Sequence, residues 1–234
     1  MRGDSPFSLF NAGSRFYDLM TAQRYWHRQV GRALDLAAPA MGELRVLDLG
    51  CGPGVSTFVV AERLGPRAEL VGIDLAKQMI RRARNNQRRR FKRLENVRFE
   101  RADAGRLSFP DNSFDLALGH SFLYLVPDRP AVLREVQRVL RPKGTLVLME
   151  PNALGSLRQA ALSSLDQLPA VMRNPWQAGR FATSMVLWRV VSARAGRLEA
   201  PQLEDLFRDA GFGEVATHPT LGGLGLHCIG RKPA

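Results

Sequence analysis

Three carboxylates and a glycine-rich turn carry the chemical information in this chain. Asp48 stands inside Val46-Leu47-Asp48-Leu49-Gly50-Cys51-Gly52-Pro53-Gly54, Asp74 ends Val71-Gly72-Ile73-Asp74, and Asp103 lies in Arg101-Ala102-Asp103-Ala104. A carboxylate offers two acceptor oxygens, suited to a pair of hydroxyls or to an amine, and it stabilises a nearby cation. The alternating glycines strip the side chains from a tight turn and let the main chain approach a ligand closely. An apolar strand that enters such a turn and passes at once into a helix presents a ligand to a helix N-terminus.

The spacing discriminates between ligands. A dinucleotide fingerprint places glycine at the first, third and sixth positions. Here the sixth is Val55, and glycine falls at the fifth, Gly54. Asp48, two residues ahead of Gly50, would repel a diphosphate but favour an ammonium or sulfonium group. A ligand that brings a cation is therefore expected. Taken alone, each acid reads as a solvated loop residue. Three at the C-terminal ends of consecutive strands mark the edge along which open α/β sheets bind ligands. Cys51 needs no catalytic role, since no local His supports thiol activation. His27, His218 and His227 lack ligand-like spacing, and no metal is expected.

The elements that must position these residues follow a βα rhythm from Leu44. Strands are expected at Arg45–Leu49, Glu69–Ile73, Val97–Arg101, Phe114–Leu118 and Thr145–Glu150. The first helix stops at Gly65-Pro66, a second starts at about Ala76, and Asp128 caps a third, with Pro130 in its first turn, that runs to Leu140. The turn Arg141-Pro142-Lys143-Gly144 precedes the fifth strand. This alternation predicts a parallel sheet with helices on both faces. Residues 151–196 interrupt it with helices over Leu154–Leu168 and about Trp176–Ala195, the latter greasy nearly all round. A helix over Pro201–Ala210 and a hairpin, Glu214–Thr220 and Gly225–Gly230, complete the chain. Ahead of the first strand, residues 6–40 form an aromatic, Arg-containing arm, helical from about Ser14 to Leu36. A side helix, a membrane contact and a lid over the pocket all fit the arm; its aromatics and its direct entry into the first strand favour the lid.

Composition bounds the rest. A chain of 234 residues, 45% hydrophobic, suits one α/β domain with insertions, or a domain with a small cap. No apolar run is long enough for a membrane span. The start lacks a signal-peptide pattern, and two cysteines, Cys51 and Cys228, make no framework, so a reducing cytoplasm is expected. The balance of 34 Lys+Arg against 22 Asp+Glu gives +12, which suggests an anionic partner or a basic, Arg-rich proteome with none.

At the residues quoted above the sequence resembles the class I S-adenosylmethionine-dependent methyltransferases, from about Tyr17 to Arg231. Phe109-Pro110-Asp111-Asn112-Ser113-Phe114-Asp115 resembles the family's approach to strand four, and Leu133–Gly144 its helix and turn before strand five, with Lys143 where a glycine is usual. The resemblance implies a Rossmann-like, seven-stranded, mostly parallel sheet with an antiparallel last strand. It implies a helical arm over residues 1–40, a methyltransferase domain over 41–234 and a helical substrate cap over 151–196. It implies S-adenosyl-L-methionine as cofactor, its methionine portion contacted around Asp48, Gly50, Cys51, Gly52 and Gly54. The ribose hydroxyls then fall to Asp74, with Leu75 and Met79 nearby, and the adenine to Asp103 and Ala104, with Gly119 closing the set. The implied reaction is in-line displacement at the sulfonium methyl carbon, which leaves S-adenosylhomocysteine.

The acceptor is less sharply drawn. His120, at the end of strand four, and Tyr124, one turn along an expected helix, face the family's acceptor pocket; His120 reads as a wall residue or as a base. Phe16-Tyr17-Asp18-Leu19-Met20 and Leu221–His227 are similar to elements of the ubiquinone/menaquinone-biosynthesis group, which adds Tyr17 as a substrate contact; bacterial phospholipid N-methyltransferases look alike at this level. From Leu75 to Leu94 there are nine Lys/Arg and no acid, so Arg81–Arg93 read as a solvated helix end or as a contact to an anionic membrane surface. The expected function is methyl transfer to a small hydrophobic or lipid-like acceptor by a cytoplasmic or membrane-peripheral enzyme. RNA or protein methylation is a second reading, motivated by the charge but without an RNA-binding motif. A non-catalytic cofactor-binding regulator is a third.

Overall fold

The structure, a computed structural model, describes residues 24–39, 42–162 and 175–234. Its elements are α1 (Arg24–Ala37), β1 (Arg45–Leu49), α2 (Val55–Leu64), β2 (Glu69–Asp74), α3 (Lys77–Arg90), β3 (Val97–Arg101) and β4 (Phe114–His120). There follow α4 (Arg129–Val139), β5 (Leu140–Pro151), α5 (Leu157–Leu162), α6 (Pro175–Ala195), α7 (Ala200–Asp209), β6 (Gly213–Thr220) and β7 (Gly225–Arg231). Tyr17 and its Tyr-Asp element lie outside the described residues, as does the second half of the helix expected over Leu154–Leu168.

The strands form one seven-stranded sheet in the order β3-β2-β1-β4-β5-β7-β6. β7 runs antiparallel to both β5 and β6, while β1 to β5 pair in parallel. The order reverses between β1 and β4, and a crevice opens at such a switch point. The alternation of a strand's side chains explains the two layers. Val46 of β1, with Leu70, Leu116 and Val147, packs under Val30 and Leu34 of α1, Phe58 and Val60 of α2, and Ile80 of α3. Leu47 and Leu49 face the other way, with Val71 and Ile73, toward Leu133 and Val136 of α4 and Leu203 and Phe207 of α7. A smaller cluster of Trp26, Met149, Met185, Trp188 and Leu224 fastens α1 and α6 to the upper edge of the sheet.

Two segments differ from the sequence expectation. β5 begins at Leu140, because Phe114 pairs with Leu140 before the register shifts to Leu116 and Thr145. The Arg141–Gly144 turn is absorbed as a kink in that strand, with Lys143 at φ 66°. Tyr124 lies in a single 3-10 turn, Leu123–Leu125, that follows the left-handed Ser121 at φ 59°. Among the described residues, no helix is long and apolar enough to cross a membrane.

Candidate active site

The glycine turn leaves β1 at its C-terminal end. Gly50 takes φ 63° and Gly54 φ 90°, conformations that cost a side chain strain. Space forbids a side chain there too: a Cβ on Gly50 would meet Phe122 at 2.8 Å, and one on Gly54 would meet Phe99 at 2.8 Å. The turn is tied to β2 and to α3. Cys51 N–H donates to Ile73 O at 2.9 Å, Asn86 Nδ2 donates to Pro53 O at 3.0 Å, and Gly52 N–H donates to Asp74 Oδ2 at 3.0 Å.

Beside the turn opens a cavity of about 380 Å³, lined by residues of β2, the start of α3, the loop after β3, the 3-10 turn and α4. It is within the size range of small-molecule sites. Of the residues expected to bind cofactor, Gly50, Gly52, Asp74, Leu75, Met79, Asp103 and Ala104 line it. Asp74 Oδ1 also accepts from Ala76 N–H at 2.8 Å, so the carboxylate stands fixed at the mouth of α3, and burial raises its pKa. Each of its oxygens keeps further acceptor capacity for a ligand hydroxyl. Asp103 Oδ1 accepts from Gly105 N–H at 2.9 Å, a local turn that holds the carboxylate beside Ala104. Ile73, Leu75, Met79, Ala102, Leu125 and Val126 give the cavity apolar walls. Acceptor oxygens at one side and flat apolar walls at the other fit a nucleoside.

A second, smaller cavity of about 30 Å³ lies across the turn, bounded by Trp26, Val30, Gly50, Cys51, Gly52, Pro53, Val55, Ser56 and His120. His120 Nε2 is sealed from solvent without a hydrogen-bond partner, and its ring stands 5.1 Å edge-to-face from Trp26. Burial and the nearby His227 hold its pKa down at about 3, so the imidazole is neutral through physiological pH. Cys51 is buried, and its thiol is pushed well up by burial and by the charges of Asp48 and Asp74, which keeps it protonated.

The other expected site residues among those described line neither cavity. Asp48 is 1% exposed and turns toward α2, where its Oδ2 accepts from Ser56 Oγ at 2.7 Å and Thr57 Oγ1 at 2.6 Å. Burial raises its pKa to about 6. Its visible work is to fasten the helix to the strand that precedes the turn. Gly54 caps α2, and Gly119 lets β4 pass Leu148, whose Cδ2 a Cβ would meet at 2.8 Å. Tyr124 is buried in the 3-10 turn.

Sequence reasoning missed the device that shapes this corner. Glu150, fully buried at the end of β5, accepts from the backbone N–H groups of Phe122 (3.0 Å), Leu123 (2.8 Å) and Tyr124 (3.0 Å). Burial nevertheless raises its pKa to about 7. Trp188 of α6 donates from Nε1 to Ser121 Oγ at 3.0 Å, which brings the insertion onto the cavity wall. An acid closing the apolar run Leu146–Met149 was the one available signal for Glu150.

The geometry agrees with known relatives. A methyltransferase-domain family model matches residues 41–188. A demethylmenaquinone methyltransferase of Geobacillus kaustophilus is 31% identical over 237 residues, covering 96% of this chain and 95% of that protein. Nocamycin O-methyltransferase of Saccharothrix syringae is 36% identical over 157 residues, or 67% of this chain; the chain covers 55% of that protein's length. A Haemonchus contortus phosphoethanolamine N-methyltransferase, solved with phosphomonomethylethanolamine and S-adenosylhomocysteine, shares the fold at TM-score 0.70 and 16% identity, covering 96% of this chain and 58% of that one. A family model over more than half the chain, and a relative aligned almost end to end, decide the question: this chain belongs to the class I S-adenosylmethionine-dependent methyltransferases.

Proposed function

We propose that the chain transfers a methyl group from S-adenosylmethionine to a small, uncharged, hydrophobic acceptor. The observation that carries the acceptor class is the lining of the smaller cavity, which has room only for the reacting end of an acceptor: Trp26, Val30, Val55, Ser56 and His120 with the glycine turn, and no charged side chain. An ionic acceptor would lose its hydration there without a counter-charge. Relatives named for demethylmenaquinone and for 2-phytyl-1,4-naphtoquinone support the same direction.

When bound, the cofactor supplies an electrophilic methyl carbon for in-line displacement. On this reading Asp74 accepts from the ribose hydroxyls, Asp103 and Ala104 receive the base, and Leu75 and Met79 wall the nucleoside. The Gly50–Gly52 backbone separates the two cavities and so sets the line between donor and acceptor. His120, neutral and without a partner at Nε2, offers the acceptor a hydrogen bond rather than a strong base. Trp26 and Trp188 exclude water above it.

The test is transfer of labelled methyl from the cofactor into a cell extract, separated into lipid, small-molecule, RNA and protein fractions. Label is expected in the lipid or small-molecule fraction. Asp74→Ala, which loses charge-assisted hydrogen bonds, and Gly52→Val, which blocks the turn, should each weaken cofactor binding about a hundredfold by calorimetry and abolish labelling. Label in RNA or protein would replace the acceptor assignment. Tight cofactor binding with no label in any fraction would make the chain a regulator.

A further inference from the structure

Exposed apolar side chains are concentrated at one place on the described surface. Of the seven large ones, six belong to the segment between β5 and α7: Leu154, Leu157, Trp176, Val186, Leu187 and Val190. The seventh, Leu75, lines the larger cavity. α6 accounts for four of the six and has two distinct faces. Ser184, Met185, Trp188 and Ser192 are buried toward the site, while Val186, Leu187 and Val190 are 50%, 36% and 48% exposed on the outside. Arg189 holds the preceding loop against the helix, donating to Asn152 O and Gly155 O at 2.6 Å each, so Leu154 stands beside α6. Trp176, at the helix's first turn, is 76% exposed.

The charges around this stripe say what would cover it. From Pro151 to Leu198 the chain carries six arginines and a single acid, Asp166. Arg158 and Arg194 are exposed, and no carboxylate stands among the described residues of the segment. A second copy docked on the same face would set arginine against arginine. Apolar side chains, an exposed Trp and unopposed cations together suit the boundary between acyl chains and anionic headgroups. We propose that the outer face of α6 docks the protein on an anionic bilayer, with the inner face of the same helix roofing the site. The surface stands independently of the methyl-transfer reading; only the idea that an acceptor enters from the bilayer rests on it.

The Arg-rich run is a separate feature. α3 starts at Lys77 beside Asp74 and runs back along the sheet for 14 residues, about 21 Å, so Arg88–Arg93 stand at the end remote from the cavities.

The test is flotation of the full chain with vesicles of phosphatidylcholine and phosphatidylglycerol in equal parts, against phosphatidylcholine alone. At low salt the anionic vesicles should carry the protein, and Val186→Gln/Leu187→Gln/Val190→Gln should lower the bound fraction about tenfold. Arg88→Gln/Arg89→Gln/Arg90→Gln should leave it unchanged. Trp26 and Trp188 are buried, so a vesicle-induced blue shift of fluorescence should come from Trp176 and vanish in Trp176→Phe. The proposal falls if the wild type stays unbound, if the α6 variant floats as well as the wild type, or if the α6 substitutions dissolve a dimer formed without vesicles. Calorimetry of cofactor binding separates the outcomes: a wild type that floats but binds no cofactor refutes the enzyme reading and leaves the docking surface standing.

Discussion

His120 and His227 are neighbours across the sheet, each in register with Met149 of the strand between them. Neither is built to hold a proton. His227 is completely buried, and burial with the nearby Arg32 guanidinium brings its pKa to about 4, against an ordinary 6.5. A base so depressed binds protons more readily when the chain is unfolded, so its contribution to stability is full above about pH 6.5 and is lost as pH falls toward 4. Replacing it should flatten that dependence. His227→Gln is expected to lose about 1 kcal/mol less stability than the wild type between about pH 7 and about pH 5.5, by urea denaturation. The raised carboxyls of Asp48 and Glu150 act in the opposite sense, but they are present in both proteins and cancel in the comparison. Identical pH slopes would mean that the native imidazole takes up its proton inside the fold. For His120, a pKa of about 3 leaves little driving force for general base catalysis, which favours uncharged acceptors that need only alignment.

At the scale of elements, β5 holds the corner of the site through a single side chain. Truncating Glu150 to Ala would leave three backbone N–H groups without their acceptor in a buried turn, at a cost of about 3 kcal/mol in chemical denaturation. Cofactor affinity should fall with it, since Ser121 and Phe122 line the larger cavity. An unchanged denaturation midpoint would mean that the turn is held by other contacts. This corner also marks where reading the sequence stops working. β1, β2 and β3 were legible to within a residue because β1 and β2 are short, largely apolar runs stopped by a turn or an acid, and β3 alternates buried Val97 and Phe99 with charged residues. Asp74 and Asp103 were legible for the same reason, and they reach the cavity. Asp48 carries the same local signal but lines neither cavity: the hydroxyls of Ser56 and Thr57 bond its Oδ2, and its buried Oδ1 is without a partner. The early start of β5 depends on Phe114 pairing with Leu140, and the turn at Tyr124 depends on a carboxylate 26 residues away. No local pattern encodes either partner. Trp26 and Trp188 read only as greasy residues, because what distinguishes them is a meeting across the fold, ring to ring at 5.7 Å.

For the whole molecule, the +12 charge is a sum over surfaces that face different ways. The arginines at the end of α3 lie away from the cavities, and Arg93 is paired with Glu62 at 2.9 Å. Arg88→Gln/Arg89→Gln/Arg90→Gln should therefore leave methyl transfer to a small acceptor within about twofold of wild type, while weakening any salt-dependent retention of RNA. A large loss of turnover in that variant would tie the run to catalysis after all. The sheet order has a consequence of another kind. β7 lies between β5 and β6, so it is synthesised after both of the strands that flank it. As the chain leaves the ribosome, β5 presents an unpaired edge and β6 has no neighbour until residues 225–231 emerge and slide between them. The nascent protein thus spends an interval of its synthesis with a gap in its sheet, and the time before that gap closes is when it is most exposed to pairing with the wrong chain.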